Sequence, residues 1–406
     1  MRITDMEVVP VAHREPRLRN SFGVHSDVEA RTLVRLTTAD GTTGVGETYG
    51  NGATIGELER ARSLVEGMDP YDRRRLALRM QRGRGRGEAS NAAYAAVETA
   101  LLDVVGKATG QRVVDLLGGA VRDSVEYSAY LFYKEADPDP EAAAVTPGEV
   151  LTPEAMVEEA REFREAFGFE TLKLKAGVLD PEEEVRTLEL LAEEFGADVP
   201  LRIDPNGLWS VETTVRIARR LREADLTLQF LEDPVPSANA HARLKRRVDY
   251  PVATNMFVTA FDDVAPAVEQ DAVDVVLSDH HYWGGPRANV DLDRVCRTFD
   301  LGVGMHSNSH LGVSMAAMTH VGAAMPTMLY AADTHYPWEA EDVVAEPLGF
   351  EDGRQPVPDG PGLGVELDEA AVERMHERYV EHEPERDDTA AMIERNPDWV
   401  PNKPAY

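Results

Sequence analysis

The strongest constraint on the fold of this 406-residue chain is a series of eight short apolar segments that alternate with helix-like stretches. Three of the intervening stretches open with helix-start signals, because Thr152-Pro153, Asp180-Pro181 and Ser210 place a capping residue ahead of a helix. Strands that alternate with helices form a parallel sheet, and eight of them favour a closed barrel over an open sheet. The predicted strands are residues 126–132, 171–176, 201–204, 229–232, 252–255, 275–279, 303–306 and 327–333.

The chain before residue 123 shows strands first and helices afterwards. Residues 2–12, 29–38 and 44–49 are predicted strands, and residues 89–108 carry apolar side chains at helical spacing. This order predicts an α+β domain. We therefore divide the chain into an N-terminal domain at 1–122, a barrel at 123–340, and a Pro- and Gly-rich C-terminal segment at 341–406 that returns to pack on the N-terminal domain.

The charge of the chain is strongly negative. Its 73 acidic and 42 basic residues give a formal net charge of -31, which repels nucleic acid. Because salt screens self-repulsion of this size, we interpret the acidity as adaptation of a halophilic source; an acidic surface for a basic partner is the alternative. The sequence shows no secretory leader and no apolar run of 18 residues, so a cytoplasmic protein with no membrane partner is expected.

Two smaller features exclude further classes of protein. Cys296 is the sole cysteine, so an intrachain disulfide and a zinc cluster are excluded. The Arg-Gly stretch at residues 82–87 is too short for an RNA-binding tract in so acidic a chain, and we predict a mobile connecting loop there.

Two lysines share one face of the predicted strand 171–176. Lys173 and Lys175 stand at positions i and i+2, whose side chains point to the same side of a strand. The chain has only six lysines, and two adjacent ammonium groups in an apolar strand need an anionic partner. A solvated strand edge is the alternative interpretation.

Polar residues stand at the carboxyl ends of five further predicted strands, where barrels of this kind place their chemistry. Three of them offer oxygen ligands, which suit a hard cation such as Mg²⁺. The other two suit a catalytic pair in which a carboxylate orients an imidazole. Bases on two sides of a cation-bound substrate suit proton abstraction next to a carboxylate. The oxygen donors are Asp204, Glu232 and Asn255, and the pair is Asp279 with His306.

These residues resemble the enolase superfamily and, within it, the glucarate dehydratase group of mandelate racemase-like sugar acid dehydratases. Lys173-Leu-Lys175 is similar to the group's Lys-x-Lys motif, and Met305-His-Ser-Asn-Ser-His310 is similar to its His-Ser-Asn segment. The resemblance implies a modified TIM barrel, (β/α)7β, with an N-terminal α+β capping domain. It also implies Mg²⁺ as cofactor and an enediolate route from a sugar acid, glucarate or a related aldarate, to a keto-deoxy acid.

The same resemblance implies a set of substrate-binding residues on both sides of the barrel mouth. Homo-oligomers are common in such families, so a homo-oligomer is expected. The implied substrate-binding residues are Asn20, His25, Tyr130, Phe132, Asn206, Asn308, His335 and Arg386, and a simple turn role is the alternative for Asn206.

One departure from the family pattern keeps other functions open. Ala95 stands before Ala96-Val97-Glu98 where the family pattern has Thr. Loss of this hydroxyl puts in doubt the recognition of the substrate's distal carboxylate. An aldonate dehydratase, acting on gluconate- or xylonate-like acids, is therefore an alternative. An acid-sugar epimerase would use the same bases without losing water, and a non-catalytic sugar-acid binding protein is the alternative from another class.

Overall fold

The computed structural model describes residues 1–81, 87–137 and 145–400. Its N-terminal part is an antiparallel three-stranded sheet covered by helices, and a short hairpin connects two of the strands. Within the sheet the strand order is β1-β4-β5. The elements are β1 (Ile3–Arg14), β2 (Arg19–Asn20), β3 (Gly23–Val24), β4 (Val28–Thr38), β5 (Thr43–Tyr49), α1 (Gly52–Val65), α2 (Arg73–Gln81), α3 (Glu88–Thr109) and α4 (Val113–Leu116).

Seven parallel strands then form a curled sheet with helices outside it, which confirms the barrel. The predicted caps are present: Thr152 accepts a hydrogen bond from Ala155 N, Asp180 from Glu182 N, and Ser210 from Thr213 N. The elements are β6 (Ser124–Glu126), β7 (Ser128–Phe132), α5 (Pro153–Phe167), β8 (Thr171–Lys175), α6 (Pro181–Phe195), β9 (Leu201–Asp204), α7 (Val211–Glu223), β10 (Leu228–Glu232), α8 (Ala238–Lys245), β11 (Val252–Thr254), α9 (Phe261–Glu269), β12 (Val275–Ser278), α10 (Pro286–Thr298), β13 (Gly302–Met305) and α11 (Gly312–Ala324).

The predicted eighth strand at residues 327–333 was wrong as a regular strand. This segment instead makes single parallel bridges to both edges of the seven-stranded sheet, Met328 with Val303 and Ala332 with Tyr127. Ala332 N donates to Glu126 O at 2.8 Å and Asp333 N to Met305 O at 2.8 Å. An irregular segment therefore closes the barrel, because few of its backbone groups are aligned with either neighbour.

The predicted first barrel strand, 126–132, is also divided. Its first residue belongs to β6, which pairs antiparallel with β14 (Arg354–Pro356), and only β7 enters the barrel. The parallel register then sets the site: Lys173 of β8 is paired with Tyr130 of β7, and Lys175 with Asp204 of β9.

The C-terminal segment contacts the N-terminal sheet. A 3-10 turn (Tyr336–Trp338) precedes it, and it contains α12 (Glu369–His382) and α13 (Asp388–Arg395). On α12, His376 Nδ1 lies 2.6 Å from Pro10 O, and on α13, Thr389 Oγ1 donates to Phe22 O at 2.8 Å. The boundaries at 122 and 340 stay predictions. Among the described residues no helix has the length and apolarity needed to cross a bilayer, and residues 82–86 of the predicted loop lie outside the description.

Candidate active site

Lys173 lies at the floor of the barrel mouth among three carboxylates. Its Nζ is 2.6 Å from Glu232 Oε2, 2.6 Å from Asp333 Oδ2 and 3.7 Å from Asp204 Oδ2, and the side chain is fully buried. Burial alone would lower the pKa of Lys173, but the carboxylates of Asp333, Glu232 and Asp204 outweigh it and raise that pKa. Lys173 is therefore a fixed cation.

Lys175 is the second ammonium group of β8 and reaches the cavity itself. Its Nζ donates to Asp204 Oδ2 at 2.6 Å and to Tyr130 Oη at 3.0 Å. Burial would lower the pKa of Lys175, but Asp204 outweighs it and raises the pKa. Both lysines thus have the anionic partners that two ammonium groups in an apolar strand need. The alternative interpretation, a solvated strand edge, is wrong.

Three oxygen-bearing side chains at neighbouring strand ends fit a divalent cation. Asp204 and Glu232 end β9 and β10 and are fully buried, and Asn255 follows β11. The buried Oδ1 of Asn255 accepts no hydrogen bond of ordinary geometry within the described part of the chain. Burial raises the pKa of Glu232 well above its usual range, with Asp204 and Asp333 adding to it, although Lys173 contacts this carboxylate. Two carboxylates and an orphaned amide oxygen form the donor set that Mg²⁺ prefers.

His306 and Asp279 form a buried pair beside this floor. His306 Nδ1 lies 3.4 Å from Asp279 Oδ2 and 3.0 Å from Tyr282 Oη. Burial lowers the pKa of His306 below its usual value, despite Asp279. The ring is therefore neutral near pH 7, and because Nδ1 is engaged, Nε2 is the nitrogen available to the cavity.

The far end of the site is built around Glu15. This buried carboxylate accepts from His25 Nδ1 at 3.1 Å, His335 Nδ1 at 3.0 Å and Ser309 Oγ at 2.8 Å. Burial alone would raise the pKa of Glu15, but His25 and His335 hold it well below its usual value. Glu15 thereby ties residues of the N-terminal part to both the seventh and eighth barrel loops.

Arg386 enters this end from the C-terminal segment. Arg386 Nη2 lies 2.5 Å from His25 Nε2, and Arg386 Nε donates to Asp388 Oδ1 at 3.0 Å. Asp388 Oδ2 in turn accepts from Asn20 Nδ2 at 2.8 Å. His25 Nε2 accepts from Arg386, since a guanidinium only donates, so its Nδ1–H faces Glu15.

A single cavity of about 520 Å³ connects the two ends. The structure brings together around it every residue predicted from the sequence except the four that lie beneath its floor or wall, Lys173, Asp204, Glu232 and Asp279. Predicted residues that line the cavity are Asn20, His25, Tyr130, Phe132, Lys175, Asn206, Asn255, His306, Asn308, His335 and Arg386.

The effect of Ala95 on recognition of a distal carboxylate stays a prediction. Ala95 is buried within α3, and the cavity wall on this helix is formed by Glu88 and Asn91 instead.

Asp333, Asp388 and Glu15 are among the site residues that were missed from the sequence. Asp333 ends the segment 327–333 and would have been found by the same strand-end rule. Asp388 stands two residues from Arg386, a weak signal. Glu15 gave no signal, because its histidine partners are brought to it only by the folded chain.

Comparisons with known proteins agree with this geometry. A family model described as Enolase C-terminal domain-like matches residues 155–371, and one described as Mandelate racemase / muconate lactonizing enzyme, N-terminal domain, matches residues 4–118. A probable glucarate dehydratase from Streptomyces coelicolor is 43% identical, over 100% of this chain and 99% of that protein. A D-xylonate dehydratase from Haloferax volcanii is 28% identical, over 84% of each chain.

A solved structure extends the comparison to the cofactor. A crystal structure of an enolase from Thermobispora bispora DSM 43833, complexed with magnesium and formate, matches 100% of both chains with 42% identity and a TM-score of 0.94. The match over the full length includes both the N-terminal part and the barrel. On its fold, its two matched family models and these relatives, the chain belongs to the enolase superfamily.

Proposed function

We propose that the protein dehydrates a sugar acid with a carboxylate at each end, glucarate or a related aldarate, to a 2-keto-3-deoxy acid. The observation that carries this proposal is one cavity with cationic groups at both ends. Lys175 and the oxygen donor set lie at one end, and Arg386 with His25 lies at the other. The similarity to a probable glucarate dehydratase supports the same class of substrate.

The floor residues hold the carboxylate next to the reacting carbon. Asp204, Glu232 and Asn255 would hold Mg²⁺, which when bound supplies positive charge that stabilises an enediolate. Lys173 is a fixed cation beneath the floor, and it offsets negative charge on Glu232 and Asp333. These contacts favour a substrate that becomes more negative during reaction.

His306 is suited to carry the proton through both halves of the reaction. As a neutral imidazole it accepts the α-proton at Nε2, and Asp279 at its Nδ1 side stabilises the imidazolium. The imidazolium then returns this proton to the β-hydroxyl, which leaves as water, and the resulting enol tautomerises to the keto acid. Lys175 is the alternative base, and it would first have to release a proton because Asp204 keeps it charged.

An aldonate dehydratase is the second candidate. The similarity to a D-xylonate dehydratase favours it, since an aldonic acid would use the same floor and the same base. It would place no carboxylate against Arg386 and His25. Substrate preference therefore separates the two candidates.

The test is a screen of aldaric and aldonic acids with Mg²⁺ in molar salt, with keto-acid products detected by a carbonyl reagent. We expect turnover of an aldaric acid, and a fall of about 10²–10⁴ in kcat for His306→Ala, the usual contribution of a general acid–base group. Mg²⁺ affinity should stay unchanged in this variant. His382→Ala, at an exposed position of α12, is the matched control.

Two outcomes would contradict the proposal. Full turnover by His306→Ala would remove His306 as the proton carrier. A screen in which only monoacids react would leave the floor chemistry in place and replace the aldarate by an aldonate. Arg386→Met should lower kcat/KM by about 10-fold or more for an aldaric acid and by far less for an aldonic acid. The reason is that a charge-assisted hydrogen bond is lost only for the diacid.

A further inference from the structure

Asp279 is held on both sides, and only one side belongs to the catalytic pair. Its Oδ2 faces His306, whereas its Oδ1 accepts two hydrogen bonds from one residue, His281: the backbone N–H at 2.7 Å and ring Nδ1 at 2.9 Å. Occupation of Oδ1 by two donors fixes the rotation of the carboxylate. Oδ2 is thereby kept toward His306.

The other ring nitrogen of His281 meets groups that define its protonation. Its Nε2 lies 3.1 Å from Arg31 Nη2 and 3.0 Å from Ser314 Oγ, and Arg31 Nη2 also donates to Ser314 Oγ at 3.3 Å. A guanidinium can only donate, so Nε2 must keep its lone pair. The proton of His281 then lies on Nδ1, where it is donated to Asp279.

Arg31 itself is held rigidly. Its Nε donates to Glu47 Oε1 at 2.7 Å, and both side chains are buried. Glu47 also accepts from Leu311 N at 2.9 Å and Ser314 N at 2.8 Å, so a pair from β4 and β5 is anchored to the first turn of α11. The N-terminal sheet thus reaches into the wall of the barrel site.

We infer that Arg31 and His281 are positioning residues that lock one histidine tautomer and thereby hold Asp279 ionised and aimed at His306. This inference rests on the proposed function only in giving His306 a proton to carry. Arg31 acts as a rigid donor, His281 passes that constraint to Asp279, and Asp279 sets the proton affinity of His306. Arg31 would then tune the base without touching the substrate.

The groups around Asp279 favour its ionised form. Burial alone would raise the pKa of Asp279, but His281 and His306 hold it well below its usual value. Burial also lowers the pKa of His280, whose ring packs against His281 in a tilted geometry at a centroid distance of 3.9 Å, so His280 is not a second cation beside Asp279. The titratable or charged groups facing His281 or Asp279 are Arg31, Tyr49, Glu88, His280, Tyr282, His306 and His310.

The first test needs no substrate. Long-range ¹H–¹⁵N NMR spectra of protein labelled with ¹⁵N-histidine distinguish the two neutral tautomers, and the signals of His281 are those lost in His281→Asn among the 11 histidines. We expect the Nδ1–H tautomer. An Nε2–H tautomer would overturn the inference.

The second test measures how the His281 side chain affects the proton affinity of His306, through the pH profile of kcat. In His281→Leu, Asp279 keeps the backbone donor but loses the ring donor, so its pKa should rise and it should take up a proton at higher pH. Because a protonated or misaimed Asp279 stabilises the imidazolium of His306 less, we expect the acid limb of the kcat profile to move to lower pH, with kcat at pH 7 lowered about 10-fold or more. His281→Asn retains a side-chain N–H donor and should keep the limb in place.

The outcomes separate this inference from the proposed function. A fall in kcat that is uniform across pH, or equal in His281→Asn and His281→Leu, would mean a merely structural role and would overturn the inference. Absence of turnover of any sugar acid by the unmodified protein would overturn the proposed function, while the NMR spectra would still decide the tautomer.

Discussion

Methionine in place of Lys173 removes a buried ammonium group from three carboxylates and keeps most of the side-chain length. The Nζ atom is 2.6 Å from both Glu232 Oε2 and Asp333 Oδ2 and 3.7 Å from Asp204 Oδ2. With an effective dielectric constant of about 20, one charge pair at 2.6 Å is worth about 6 kcal/mol before desolvation is counted. Removing one partner of such a buried pair costs a net amount of about 3–5 kcal/mol, because the remaining charge is left uncompensated.

The deficit in the free energy of unfolding of Lys173→Met, relative to wild type, should depend on pH. Without Lys173 the pKa of Glu232 in the folded protein rises further above its unfolded value, so folded Lys173→Met binds more protons than folded wild type. The deficit in the free energy of unfolding is therefore largest at high pH and shrinks as the carboxylates become protonated. We expect a smaller deficit at about pH 5.5 than at about pH 8, since the pKa of Glu232 is already raised in the wild type.

Urea unfolding of metal-free protein at both pH values measures this effect. Lys245→Met is the matched control, because Lys245 Nζ contacts two solvent-accessible carboxylates, Asp271 at 2.6 Å and Asp274 at 2.8 Å, and pairs with solvent-exposed groups are worth about 0–1 kcal/mol. A loss in Lys173→Met no larger than in the control, or a loss that does not change with pH, would refute the reasoning. It would mean that the carboxylates find another counter-charge.

Two further predictions concern the far end of the site and the surface. Glu15→Gln leaves one oxygen acceptor for His25 and His335 and places an N–H₂ donor against the other, so one of the two rings should turn; KM for the acid substrate should rise about 10-fold, with kcat changed less. An unchanged KM in steady-state assays would contradict this. Raising KCl from about 0.1 to 2 M should raise the thermal unfolding midpoint, because a net charge of -31 repels itself and salt screens it to a few ångströms. A midpoint that is independent of salt in a thermal scan would argue against halophilic adaptation.

The barrel and its floor could be predicted because their signals are local. Lys173 and Lys175 share a strand face by spacing alone, and Asp204 and Glu232 end strands that are themselves evident from apolar segments. The segment 327–333 has the composition of a strand but closes the barrel by two bridges, and composition does not report which backbone groups find partners.

Residues that depend on closure of the fold could not be predicted. Glu15 precedes His335 by 320 residues, and only the packing of the N-terminal part on the barrel brings the two side chains within 3.0 Å. The pair of His281 with Arg31 is of the same kind, at a sequence separation of 250 residues. Such contacts leave no periodic trace in the sequence, whereas the carryover of family motifs located Arg386 because its motif is short and contiguous.

Charge compensation across the boundary between the N-terminal part and the barrel indicates that neither part forms the site alone. Arg31 and Glu47 neutralise each other, but Glu47 also needs backbone donors from α11, and Glu15 needs His335 and Ser309 from the barrel. Separating the two parts would leave these buried acceptors without donors, at a cost of about 1–3 kcal/mol for each lost hydrogen bond. The same contacts that stabilise the boundary also orient Asp279 and His25. Stability of the boundary and geometry of the site are therefore set by one network, and a substitution that weakens one is expected to disturb the other.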